Sequence, residues 1–164
     1  MDLCVGLPRW RELAKILEVG EHAPDFQVKD QNGNTVSLGS LHGRPVVLYF
    51  YPKDDTPGCT AEACSFRDSM SILRERGLTV LGVSVDSEES HRKFISKYDL
   101  NFTLLSDRDK KIVRAYGVES PFKVAKRVTF IIGPDGVIKH VFTHVSTATH
   151  GSDVLKKAEE LGLV

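Results

Sequence analysis

An α/β fold, built on a central and partly parallel sheet with helices on both faces, is what this sequence predicts. Three observations carry the prediction. Two continuous apolar runs of β-formers, Pro45–Tyr51 and Leu78–Val85, read as strands buried on both faces. A helical periodicity follows each of them, with Ala63, Phe66, Met70 and Leu73 after the first and Phe94, Ile95 and Tyr98 after the second. The two ends of the chain carry hairpin signals around Asn32–Gly33–Asn34 and Pro134–Asp135–Gly136.

The elements follow in order. Pro8 followed by Arg9–Glu18 reads as a short amphipathic helix that stops at Gly20. Asp25–Lys29 and Thr35–Leu38 form the first hairpin, and Pro45–Tyr51 the central strand. Pro52–Gly58 holds two prolines and a glycine in seven residues and is a loop. Cys59–Arg76 reads as a helix ending at Gly77, and Ser87–Tyr98 as a second helix with Ser87 as its N-cap. A short strand at Asn101–Leu105, a helix at Asp109–Tyr116, the hairpin Arg127–Ile132 and Gly136–Phe142, and a helix at Thr149–Leu161 complete the chain. Ligands of such sheets bind beyond the C-terminal ends of the strands, where Pro52–Gly58 lies.

The 164 residues suit one domain, and 41% hydrophobic with 27% charged residues is ordinary for a globular protein. Residues 1–16 are expected to be an N-terminal extension and 17–164 the folded domain. Lys plus Arg and Asp plus Glu number 22 each, which argues against a nucleic-acid binder, whose affinity rests on a basic excess. No stretch approaches the ~20 apolar residues of a membrane span. The first twenty residues lack the apolar run of a signal peptide, so the expected location is cytoplasmic. Three cysteines (Cys4, Cys59 and Cys64) are too few and odd in number for a disulfide framework. In a reducing compartment a close pair is more often catalytic or metal-binding than structural.

Cys59 carries the chemistry. Pro57 and Gly58 make a tight turn, which places Cys59 at the first turn of a helix. Free N–H groups and the helix dipole favour an anion there, and the thiolate is the reactive form of cysteine. The bland alternative is a buried packing cysteine. Cys64 weighs against it. In an ideal helix the two Cα atoms lie ~8.7 Å apart on divergent faces. A disulfide needs them within about 7 Å. Either the two never bond, or the first helical turns unwind during a reaction. A zinc site is the competing reading, from Cys-x4-Cys and His140-x3-His144. Along a strand, however, those histidines would lie ~13 Å apart. Asp54 and Asp55 read as solvated loop carboxylates, and most of the six histidines as surface residues. The sequon Asn101–Thr103 carries no weight without a sign of secretion.

Pro52-x3-Thr56-x2-Cys59 resembles the active-site motif of the peroxiredoxins. Cys59-x4-Cys64, within Tyr49–Cys64, narrows the resemblance to the bacterioferritin-comigratory protein, or peroxiredoxin Q, subfamily. Gly20-x2-Ala23-Pro24-Asp25-Phe26, Leu104–Asp107 and Arg127–Gly136 are similar to further landmarks of that family, and the likeness spans roughly residues 17–164. Cys4 has no counterpart in the motif, and Gly133 stands where an acid is frequent.

The resemblance implies a thioredoxin fold and a thiol-dependent peroxidase acting on hydrogen peroxide and organic hydroperoxides without metal, flavin or haem. It makes Cys59 the peroxidatic cysteine and Cys64 the resolving one, closing an intramolecular disulfide that thioredoxin or a similar dithiol reduces. Thr56 becomes a hydroxyl that hydrogen-bonds thiolate and peroxide, Pro52 a cover over the pocket, and Arg127 a guanidinium facing the sulfur. A monomer or weak dimer is expected. A disulfide reductase on the same fold and a non-catalytic redox sensor stand as alternatives.

Overall fold

The computed structural model describes residues 15–164. Cys4 and most of the helix expected at Arg9–Glu18 lie outside the described residues, and 15–18 are not helical.

The five-stranded sheet contains β3 (Val46–Phe50), β4 (Thr79–Ser84), β5 (Thr103–Ser106), β6 (Val128–Ile132) and β7 (Ile138–Phe142), in the order β5-β4-β3-β6-β7. β3 runs parallel to β4, and β4 to β5, while β6 is antiparallel to both β3 and β7. The sheet is therefore mixed. All five residues of β3 are buried, as its unbroken apolar run predicts for a central strand. The register Phe50↔Val128 brings the start of β6 to the edge where β3 ends. That pairing decides which residues meet the loop after β3.

Two further strands, β1 (Gln27–Lys29) and β2 (Thr35–Ser37), form a separate hairpin. Its turn closes on Asp30, whose Oδ1 accepts from the amides of Asn32 and Asn34 at 2.9 and 3.0 Å. Gly33 supplies the positive φ of +80° that the turn needs.

Among the described residues four α-helices flank the sheet: α1 (Pro57–Glu75), α2 (Glu88–Tyr98), α3 (Lys111–Ala115) and α4 (His150–Glu160). Pro57 opens α1 because its missing N–H would be unpaired there in any case. Gly77, at φ +79°, ends it, with Leu78 N donating to Leu73 O at 2.9 Å. Ser87 caps α2 as expected, its side chain accepting from Ser90 N. The buried Asp107 carboxylate caps the short α3 by accepting from the amides of Ile112 and Val113.

Alternation along the strands divides the core. Val47, Tyr49 and Tyr51 face one side, against Phe66 and Met70 of α1, Phe94 of α2 and Val154 of α4. Leu48, Phe50, Leu81 and Val83 face the other, against Ile112, Val113 and Tyr116. No helix among the described residues is long and apolar enough to cross a membrane.

Candidate active site

α1 begins two residues before the expected Cys59, with Thr56 as N-cap, Pro57 and Gly58 in the first turn and Cys59 third. The first intrahelical bond runs from Thr60 N to Thr56 O at 2.8 Å. The amides before Thr60 thus belong to the unpaired set at the helix start, and Cys59 sits among them. Its side chain is 1% exposed, while Cys64 is half-buried on the same helix, and both are free thiols.

Arg127, just before β6, reaches the sulfur from the neighbouring strand. Its Nη2 donates to Cys59 Sγ at 3.3 Å, and its Nη1 to Glu62 Oε1 at 2.7 Å. One guanidinium thus joins the thiol to a carboxylate one helical turn further along α1. Gly58 makes room for this, since a Cβ there would lie 3.1 Å from Nη2. Burial alone would lower the Arg127 pKa, but the bonds and charges of Cys59 and Glu62 outweigh it and raise it.

Sequence reasoning missed Glu62. It is fully buried, and burial pushes its carboxyl up to about 7 against the opposing pull of Arg127. Its second oxygen, Oε2, has no hydrogen-bond partner, nor has the buried hydroxyl of Tyr49. The three-residue spacing from Cys59 to Glu62 on a helix was the available signal.

His150 was missed as well. It is buried at the start of α4, with Nε2 2.8 Å from Thr129 Oγ1 and 3.8 Å from Glu62 Oε2. Burial and the charge of Arg127 push its pKa down to about 4, although Asp153 pulls the other way, so the ring is neutral at neutral pH.

The remaining sequence-derived residues lie in the loop before α1. Pro52 is half-buried at the start of the loop. The Thr56 hydroxyl donates to Lys53 O at 2.8 Å, so here it braces the loop. Asp54 is a correction: it is buried rather than solvated. Its carboxylate accepts from Tyr51 Oη at 2.6 Å and Ser90 Oγ at 2.8 Å, and lies 2.7 Å from His91 Nδ1. Its backbone N–H donates to Asp86 Oδ2. Asp55 is exposed as expected and pairs with Lys97 and Tyr98. His91 and His150 depart from the surface placement expected of most histidines.

Among the described residues, one group has metal-like geometry: Asp54, Asp86 and His91. Both Asp54 carboxylate oxygens accept the hydrogen bonds just described, Asp86 Oδ2 accepts from Asp54 N and Ser84 Oγ, and none of Cys59, Cys64, His140 and His144 belongs to the group.

Residues 19–141 match the model of the AhpC/TSA family. A protein of Coxiella burnetii called a putative peroxiredoxin bcp is 46% identical over 146 residues, covering 85% of this chain and 97% of its own. The crystal structure of peroxidoxin BcpB from Mycobacterium tuberculosis superposes with a TM-score of 0.82 at 33% identity, covering 88% of this chain and 97% of that one. A Xanthomonas campestris bacterioferritin comigratory protein, whose structure addresses alkyl peroxide reduction, has a TM-score of 0.80 at 32% identity, with coverage of 88% and 97%. The mixed sheet flanked by helices is the thioredoxin-type fold these structures share with this chain.

Proposed function

This chain belongs to the AhpC/TSA family, and from that premise we propose that Cys59 is its peroxidatic cysteine and Cys64 its resolving one. The protein is a thiol-dependent peroxidase, an oxidoreductase that takes a peroxide as substrate and a thiol as reductant. The alternatives, a disulfide reductase and a non-catalytic sensor, find no support in these likenesses.

The observation that carries the residue assignment is the fork of Arg127 between Cys59 Sγ and Glu62 Oε1. The thiolate is the form of cysteine that acts as nucleophile, and Arg127 holds the sulfur in place for it. The thiolate attacks one peroxide oxygen and the O–O bond breaks. Cys59 becomes a sulfenic acid, and the other oxygen leaves as hydroxide or alkoxide and takes up a proton. Arg127 and the free amides at the start of α1 stabilise the charge moving onto that oxygen. Thr56 and Pro52 lie in the loop that leads into α1, and in this reading they cover the bound peroxide, with Thr56 turning its hydroxyl from Lys53 O to it.

The sulfenic acid then condenses with Cys64, releasing water. In intact α1 the two Cα atoms stand ~8.7 Å apart, so the first turns must open. A thioredoxin-like dithiol restores both thiols by exchange.

The test adds one equivalent of hydrogen peroxide to the reduced protein, blocks free thiols and maps the peptides. A Cys59–Cys64 disulfide is expected. Two free thiols would remove the assignment. Cys59→Ser should abolish peroxide reduction. Cys64→Ser should allow one turnover but lose thioredoxin-supported cycling, and normal cycling in that variant would exclude Cys64 as the resolving residue.

A further inference from the structure

We propose that His150 and Gly151, the first two residues of α4, clasp α1 at Ser65. The clasp stops the opening of α1 immediately after Cys64 and positions the resolving thiol at the edge of a helix that stays folded. The proposal rests on the reading above in one respect, that α1 opens during the cycle.

Three contacts converge on this turn of α1. Gly151 N donates to Ser65 Oγ at 2.8 Å. The Gly151 backbone lies so close that a Cβ there would stand 2.5 Å from Ser65 O and 2.8 Å from Ser69 Oγ. Only glycine permits this approach. The His150 ring meets Phe66 edge-on, with centroids 5.3 Å apart, and Phe142 from the sheet on another side.

The two sides of Ser65 are held differently. From Phe66 onward, α1 buries Phe66, Met70 and Leu73 in the core. Before Ser65, the apolar side chains in that core are only the small Cys59 and Ala63, and the added tie is polar: Arg127 to Cys59 and to Glu62, a carboxylate with one unpartnered oxygen. Oxidation of Cys59 alters that tie, while the apolar packing beyond Ser65 is untouched. The weak and strong halves meet at residues 64 and 65, so Cys64 is the last residue on the side that opens.

A held remainder also has a kinetic use. Starting a helix is costly, whereas extending an existing one adds a hydrogen bond with each residue fixed. With Ser65–Glu75 kept helical, reduction of the disulfide lets residues 57–64 zip back onto a ready template. Ser65, His150 and Gly151 make no hydrogen bond to either sulfur and are positioning residues.

Amide exchange read residue by residue by NMR decides the matter, in the reduced and in the peroxide-oxidised protein. A helix that starts at Ser65 leaves its first four N–H groups free. Amides 60–68 should therefore exchange faster than 69–73, by roughly tenfold or more in the reduced protein, and lose protection on oxidation. Amides 69–73 should stay slow in both forms.

Ser65→Ala removes the hydrogen bond and Gly151→Ala forces the backbones apart. Each should raise exchange at 69–73 while β4 amides 79–84 keep theirs, and Ser65→Thr, which retains a hydroxyl, should restore protection. No step in exchange near Ser65 in the wild type, or unchanged exchange at 69–73 in Ser65→Ala, would overturn the clasp. The reduced protein decides this without peroxide. A missing Cys59–Cys64 disulfide would instead count against the cysteine assignment, and the two failures are distinct.

Discussion

Gly58 holds the space that Arg127 Nη2 uses to reach Cys59 Sγ. Gly58→Ala would add a Cβ 3.1 Å from that nitrogen and push the guanidinium off the sulfur by a few tenths of an ångström. A charge-assisted hydrogen bond aimed at a developing charge is worth ~2 kcal/mol. The second-order rate with peroxide should fall about tenfold or more. Alanine is the better helix former by ~1 kcal/mol, so unfolding by urea should show unchanged or slightly higher stability. Slower peroxide reduction without lost stability is the signature; an unchanged rate would mean that the 3.3 Å contact contributes little to the reaction. At this scale Cys59 and Cys64 were legible because loop, turn and helix start are local features of sequence. Arg127 was read from resemblance alone. Glu62 escaped because a glutamate in a helix is ordinarily solvated, and nothing within one helix shows that a strand 65 positions later supplies its cation.

The elements around the loop 52–56 raise a different question, which is what holds it while α1 opens. Asp54 answers it: Tyr51, Ser90 and His91 converge on its carboxylate, and Asp86 accepts its amide. The loop is thereby tied to α2 and to the end of β4. Asp54→Ala strands the buried Tyr51 Oη and the half-buried Ser90 Oγ, at up to ~1–3 kcal/mol for a fully buried group. A loss of ~3 kcal/mol in urea unfolding is expected, together with slower peroxide reduction as the loop that carries Thr56 loosens. A loss under ~1 kcal/mol would show that the network is replaced by water. The helices and strands themselves were largely readable, with ends shifted by a few residues: α1 opens at Pro57 rather than Cys59, and β5 spans Thr103–Ser106 rather than Asn101–Leu105. Asp54 was read as solvated because two of its partners, Ser90 and His91, come from an element more than thirty residues away, which local pattern does not report.

In the whole molecule, one topological choice builds the site. β6 runs antiparallel to β3, so its beginning lies at the edge where β3 ends, and Arg127 arrives beside the start of α1. Behind it, α4 brings His150 to within 3.8 Å of Glu62. These two buried groups have opposite effects on stability. The Glu62 carboxyl, raised from 4.5 to about 7 by burial against the pull of Arg127, stabilises the fold fully below pH 4.5 and loses that contribution as pH rises through 7. His150, lowered from 6.5 to about 4 by burial and Arg127 despite Asp153, contributes above pH 6.5 and loses its contribution as pH falls through 4. Between pH 4.5 and 6.5 the folded state holds a proton on Glu62, and the unfolded chain holds one on His150. The proton counts match, so the pair adds no slope to stability across that window. Removing one member should expose the other. Relative to wild type, Glu62→Gln should lose stability as pH falls from 6.5 towards 4, and His150→Phe should lose it as pH rises from 4.5 to 7, each by up to ~1.4 kcal/mol per pH unit. Urea unfolding of the three proteins at pH 5 and 6.5 reads both slopes. Slopes of the same sign in the two variants would mean that Glu62 and His150 do not titrate as this buried pair requires.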